Sequence, residues 1–164
     1  MRVSVFVDGN NTFYSLQKLG WHMDARKLLS AFQEPEDSLQ NSFWYMGIDN
    51  SDEPQKKFKE ALTGIGYTVR VKAIKEFSSE GKTTYKANLD VEMVLDMLNT
   101  VDLYDHAILL SGDSDFEKVV EHLRTKGKKV TVMSTAGNVS WELVNAADRY
   151  VDMKNIKEVI EKKF

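Results

Sequence analysis

A doubly wound α/β domain is the fold class that the sequence predicts: a mostly parallel sheet between two helical layers, a three-layer sandwich. Three observations predict it. Short strand patterns alternate with helical patterns along the whole chain. The first strand run is apolar rather than alternating, as expected where helices cover both faces of a sheet. There are only two prolines, no repeat, no linker and no low-complexity tract, so residues 1–164 read as a single domain.

The elements follow in order. VSVFV (3–7) is rich in β-branched and aromatic residues and reads as the first strand. Helical patterns cover about 11–19 and 24–32, the second with Asp24 as N-cap. SFWYMGI (42–48) is the second strand. EPQKKFKEALTGIG carries Pro54 where a first helical turn tolerates it and Gly66 where a helix ends. YTVRVKAI (67–74) is the third strand. KEFSSEGKTTYK (75–86) is polar with a near-central glycine and reads as a protruding hairpin or loop. A helix over 87–99, a strand at HAILLS (106–111), a helix over 115–126 and a strand at KVTVMS (129–134) come next. VSWELVNAA (139–147) is helical, YVD is a short sixth strand, and 155–163 is a terminal helix.

Composition narrows the class. Apolar residues make up 42% of the 164 and charged residues 29%, which suits a folded domain with a real core. No cysteine occurs, so disulfides and thiolate metal sites are excluded and a reducing compartment fits. No apolar run approaches the ~18–20 residues of a membrane span, and Asp8 interrupts the N-terminal run too early for a signal segment. A cytoplasmic location without membrane partners is expected. The net charge of −3 does not mark a nucleic-acid binder, though a local patch would suffice for one.

In doubly wound sheets ligands bind beyond the carboxyl ends of the strands, where the strand order reverses. Asp8 ends the first strand, and SGDSDF (111–116) puts Asp113 and Asp115 after the fourth. A helix cap explains one carboxylate per helix, not two in GDSD and a third facing them. Crowded like charges need a cation or a shared proton. In the helix over 87–99, at about 100° per residue, Asn88, Glu92, Asp96 and Asn99 share a polar face. Asp90 falls amid the apolar Met93, Val94, Met97 and Leu98, where a carboxylate needs a partner, and its first-turn position lets it reach the rim. Asp8, Asp90, Asp113 and Asp115 are therefore the candidate catalytic residues, with Asp8, Asp90 and Asp113 as the metal ligands. Carboxylates without histidine or cysteine suit Mg²⁺ or Mn²⁺, and phosphodiester hydrolysis is the reaction that follows most directly.

With these residues in place, FVDGNN, KANLD with a further aspartate six residues on, LLSGDSDF and the terminal LVNAADRYVDM resemble the NYN domain, in particular its LabA-like group. That resemblance covers nearly the whole chain. It implies the PIN-like nuclease fold, a sheet of order 3-2-1-4-5 and metal-dependent cleavage of RNA. Asp8 and Asn11 match the first motif, Asp90 the acid opening the middle helix, and Asp113 and Asp115 the last pair. Asp96 matches a further family aspartate and is a secondary candidate, although periodicity puts it on the outer face. Lys86 matches a family lysine one helical turn before Asp90.

Substrate contacts are expected from Asn11, from Ser111 and Ser114 around the GDSD turn, and from Lys72 and Lys86. The last two belong to a basic segment (70–86) with Phe77 and Tyr85 that suits a single RNA strand. Phe13 and Leu16 at helical spacing read as core, Tyr14 as a residue that could line the site, and Trp21, Trp44 and Trp141 as core or interface aromatics. A non-catalytic nucleic-acid-binding or regulatory module that keeps the acidic pocket is the competing reading. A phosphotransferase needing D-x-D fits poorly, because Gly9 and Asn10 follow Asp8. Dinucleotide binding fits worse, because no G-x-G-x-x-G follows the first strand.

Overall fold

The structure, a computed structural model, describes the backbone of all 164 residues and every side chain except those of Phe77, Thr84, Tyr85 and Lys86. Six strands form one sheet: β1 (Arg2–Asp8), β2 (Ser38–Ile48), β3 (Thr68–Ala73), β6 (His106–Leu110), β7 (Lys129–Ser134) and β8 (Arg149–Asp152). Their order is β3-β2-β1-β6-β7-β8, and every pairing is parallel. Counted without the hairpin strands β4 (Lys75–Ser79) and β5 (Lys82–Lys86), this is the expected 3-2-1-4-5 order with the short sixth strand added at one edge. β4 and β5 pair antiparallel as a separate two-stranded sheet, turning through Glu80 and Gly81, both at positive φ.

The pleat of β1 explains the three layers. Val3, Val5 and Val7 point to one face, where they pack with Leu16 of α1 (Gly9–Leu19), Leu28 and Leu29 of α2 (Ala25–Ala31), Leu62 of α3 (Glu53–Ile65) and Ile160 of α7 (Lys157–Ile160). Phe6 points to the other, with Met93 and Met97 of α4 (Asp90–Asn99), Val120 and Leu123 of α5 (Glu117–Thr125) and Leu143 of α6 (Trp141–Ala146). Each helix buries one stripe, and the central strands β1, β6 and β7 are covered on both sides, as a parallel sheet requires, while the edge strand β3 is largely exposed.

Three local expectations are corrected. The terminal helix is only Lys157–Ile160, after a 3₁₀ turn at Met153–Ile156. The chain then extends, because Glu161 bridges to Met23 and Lys162 N–H donates to the His22 carbonyl. Helix α4 turns a different face outward than its polar pattern suggested: Val91 and Leu95 are exposed, while Glu92 and Asp96 lean on the β3 edge. The reason is tertiary. Arg70 and Lys72 lie two apart on β3 and meet Asp96 and Glu92, which lie four apart on the helix. Finally, Phe13 is not a core residue, being 55% exposed; Trp141, at 71% exposed, lies outside the core, which leaves the interface half of its expectation.

β1 is the switch point of the sheet. Its neighbour β2 leads to one edge and β6 to the other. The crevice predicted by strand order thus opens at the carboxyl ends of β1 and β6.

Candidate active site

Register alone brings Asp8 and Ser111 together. Val7 and Leu110 are the last paired residues of β1 and β6, so the next residue of each strand emerges side by side at the rim. Ser111 Oγ donates to Asp8 Oδ2 at 3.0 Å. Asp8 also caps α1, its Oδ1 accepting from Asn11 N–H at 3.4 Å. The turn after Ser111 is tied back on itself: Asp113 N–H donates to Ser111 Oγ, and Asp115 N–H to Asp113 Oδ1 at 2.9 Å. That last bond caps the 3₁₀ turn Ser114–Phe116, whose Phe116 anchors it in the core. One Asp therefore caps a helix while the other is presented outward.

Asp90 comes from the far side, from the first turn of α4. Carboxylate oxygens of Asp90, Asp113 and Asp115 all lie within 4.8 Å of one another. Asp8 stands behind this trio, engaged with Ser111 and Asn11 but close enough for its charge to act on Asp90. The tight group thus holds Asp115 in the place expected for Asp8.

The electrostatics are those of a crowded carboxylate cluster. Burial, then the charges of Asp113 and Asp8 and a shared proton with Asp113, push Asp90 up to about 7. Asp8 is also raised, by burial first, with the Asp113 charge adding to it and its two hydrogen bonds opposing. Asp90 Oδ2 is buried with no hydrogen-bond partner among the described residues. A buried acceptor left without a donor costs free energy. Hard oxygen donors at this separation, one of them orphaned, fit a divalent cation of the Mg²⁺ or Mn²⁺ kind.

The other expected residues divide. Ser111 is buried and orients Asp8 rather than facing a substrate. Asn11 is a brace: its Oδ1 accepts from Gly112 N–H at 3.0 Å and from Asn138 Nδ2 at 3.5 Å. Ser114 is exposed at the turn beside Asp113 and Asp115. Asp96 lies outside the trio. It takes Arg70 Nε and Nη2, both at 3.1 Å, and the Tyr45 hydroxyl at 2.8 Å, and it is only 14% exposed. It is neither the solvated residue that periodicity suggested nor a member of the cluster. Lys72 donates to Glu92 and to the Asn88 carbonyl, so two cations of the basic segment are neutralised by α4. Lys86, Phe77 and Tyr85 lie outside the described side chains.

Asn138 has no counterpart among the expected residues. Its amide donates to Asn11 and to Ser15 Oγ, joining the loop after β7 to α1. The same loop seats on Gly112, whose carbonyl accepts from Ser140 N–H. A Cβ on Gly112 would be driven into the Asn138 carbonyl, so only glycine lets the loop close on the turn. The strand-end rule carried the signal, since TAGN (135–138) also follows a strand at this rim.

A parallel α/β sheet with a carboxylate trio at its switch point defines the class, and similarity to known proteins agrees with it. The NYN domain family model matches residues 2–155, and the chain belongs to that family. It is 47% identical over 165 residues to the low amplitude and bright protein LabA of Synechococcus elongatus, covering 98% of this chain and 88% of that protein. A crystal structure of a protein of unknown function from Vibrio parahaemolyticus superposes with a TM-score of 0.82 at 26% identity, covering 98% of this chain and 96% of the other. Among the described residues, no helix is long and apolar enough to cross a membrane.

Proposed function

We propose that this protein is a metal-dependent ribonuclease that hydrolyses phosphodiester bonds, with single-stranded RNA as its substrate and the cytoplasm as its place of action. The observation that carries the reading is the trio Asp90, Asp113 and Asp115, assembled from two segments at the switch point, with the Asp8 charge close enough to act on Asp90. Membership of the NYN family supports a role on nucleic acid.

Asp90, Asp113 and Asp115 would hold the cation, with Asp8 lending a fourth negative charge. When bound, Mg²⁺ or Mn²⁺ supplies an activated water and neutralises charge developing on the phosphate. The chain's own groups do the rest. Ser111 and the Asn11 backbone fix the Asp8 carboxylate, so its charge does not wander as substrate arrives. Asp90, raised to about 7 by burial and by its acidic neighbours, would have to be deprotonated to hold the cation, so occupancy of the site would be favoured as pH rises. Ser114, exposed on the turn, is placed to donate a hydrogen bond to a phosphate oxygen.

The test is cleavage of single-stranded RNA by the purified protein with Mn²⁺ or Mg²⁺. Activity should vanish with EDTA and fall at least ~100-fold in Asp113→Asn. If wild type cuts no RNA while still binding it with the cation present, the protein is a binding module and the nuclease reading is lost.

A further inference from the structure

A second concavity lies one residue from the acidic trio's backing aspartate and is used by none of the chemistry above. It is a groove of about 510 Å³ between the N-termini of α1 and α3, over the end of β2. This volume is that of a small-ligand site rather than a packing defect. Trp44 and Met46 form its floor. Phe13 and Phe58 also line it, 55% and 43% exposed. Exposed aromatics beside a cavity are costly to leave wet, and these are held in place: Phe13 lies parallel to His22 at 5.3 Å, and Phe58 sits edge-on to Trp44 at 5.7 Å.

The groove adjoins the acidic site. Gly9 lines it and directly follows Asp8. Asn10 lines it too, and its Nδ2 donates at 3.4 Å to the carbonyl of Ala87, three residues before Asp90. At Gly9 an added Cβ would sit 2.5 Å from Trp44 Nε1 and 2.7 Å from the Tyr45 carbonyl, so only glycine lets the start of α1 lie this close against β2 between the two sites. The lining is chemically unlike the trio. It is largely apolar and aromatic, with the amides of Asn10 and Gln55, the His22 imidazole, and the charged Asp52 and Lys162. A phosphate would meet a single lysine there, offset by a carboxylate. A flat, uncharged ring with hydrogen-bonding edges has stacking walls and two amides.

We propose that this groove holds one unstacked nucleobase of the strand whose scissile phosphate lies at the acidic trio, with Phe13 and Phe58 as its stacking surfaces. The assignment rests on the nuclease reading and names a subsite for its substrate. Unpaired bases are recognised by stacking on aromatic side chains and by hydrogen bonds to their edges, and duplexes do not offer such bases. Such a site would favour single strands over duplexes.

The experiment uses the full chain with Mn²⁺ and a short single-stranded RNA, intact or carrying one abasic site at each position around the cut. Phe13→Ala and Phe58→Ala change exposed side chains and keep the fold, and Phe13→Trp restores a stacking surface. KM should rise roughly tenfold in each alanine variant with kcat retained, and return in Phe13→Trp. One abasic position should raise the wild-type KM equally and add nothing in the alanine variants. Unchanged KM, an abasic penalty that persists in full in the variants, or an effect that tracks a change in oligomeric state instead would overturn the proposal. If wild type cuts RNA but the aromatic variants behave identically, the groove assignment falls and the nuclease reading stands. If wild type cuts nothing, the nuclease reading falls, and the same abasic comparison by fluorescence anisotropy decides the groove by itself. Absence of RNA binding overturns it.

Discussion

Replacing Asp90 by asparagine should make the cation-free protein more stable at pH 8. Asp90 is raised from 3.8 to about 7 in the fold, by burial and by the charges of Asp113 and Asp8. Between those two values the native state holds a proton that the unfolded chain has already released. Stability contributed by the protonated group is therefore complete below pH 4 and is lost as pH rises through about 7. A rise of this size in a fully buried group corresponds to about 4 kcal/mol. The carboxyl is only half withdrawn from water, so screening reduces this to roughly 1–2 kcal/mol. Asparagine keeps the size, removes the charge, and can donate to Asp113. The assay is urea unfolding of wild type and Asp90→Asn at pH 5 and pH 8, in EDTA and in Mn²⁺. In EDTA the variant should gain about 1–2 kcal/mol over wild type at pH 8 and much less at pH 5. Saturating Mn²⁺ should stabilise wild type by about 3 kcal/mol at a hundred times Kd and the variant by far less. Equal or lower stability of the variant at pH 8, or the same gain from Mn²⁺ in both proteins, would refute the cluster's electrostatics.

Three further outcomes are expected. Gly112→Ala should displace the 135–140 loop from the GDSD turn, lowering stability by more than ~2 kcal/mol in a thermal melt and abolishing cleavage by the remaining folded protein. Ser111→Ala removes the donor to Asp8 and should weaken Mn²⁺ binding about 10–100-fold by calorimetry, with little loss of fold. Arg70→Ala leaves the Asp96 carboxylate with only the Tyr45 hydroxyl as donor and should cost about 1–3 kcal/mol in urea unfolding, while Mn²⁺ affinity and cleavage per folded molecule stay unchanged.

The acidic site was legible wherever its position follows from strand and helix ends. Asp8, Asp113 and Asp115 are fixed to the rim by the alternation of β and α segments. Asp90 was found because a carboxylate stood among Met93, Val94, Met97 and Leu98, and Met93 and Met97 are indeed buried. Asp96 shows where this reasoning fails. A helical wheel reports which residues share a face, but not what lies opposite. The partner of Asp96 is Arg70, 26 residues away on a different element, and only packing of α4 on the β3 edge makes them neighbours. Trp141 is kept out of the core for the converse reason. Its neighbours Leu143 and Ala146 fill the core, and the large side chain is left outside at the helix start.

Residue pattern was enough to specify the layered α/β fold, the rim on which its chemistry lies and four carboxylates to populate that rim, because these depend on hydrophobic period and on where each strand stops. Packing supplied the rest. It closed Asp90, Asp113 and Asp115 into one group and set Asp8 behind them under Ser111. It gave Asp96 to Arg70 and opened a groove beside Gly9. Distances between elements remote in sequence are set by side-chain contact and strand register, and no local pattern of residues encodes them.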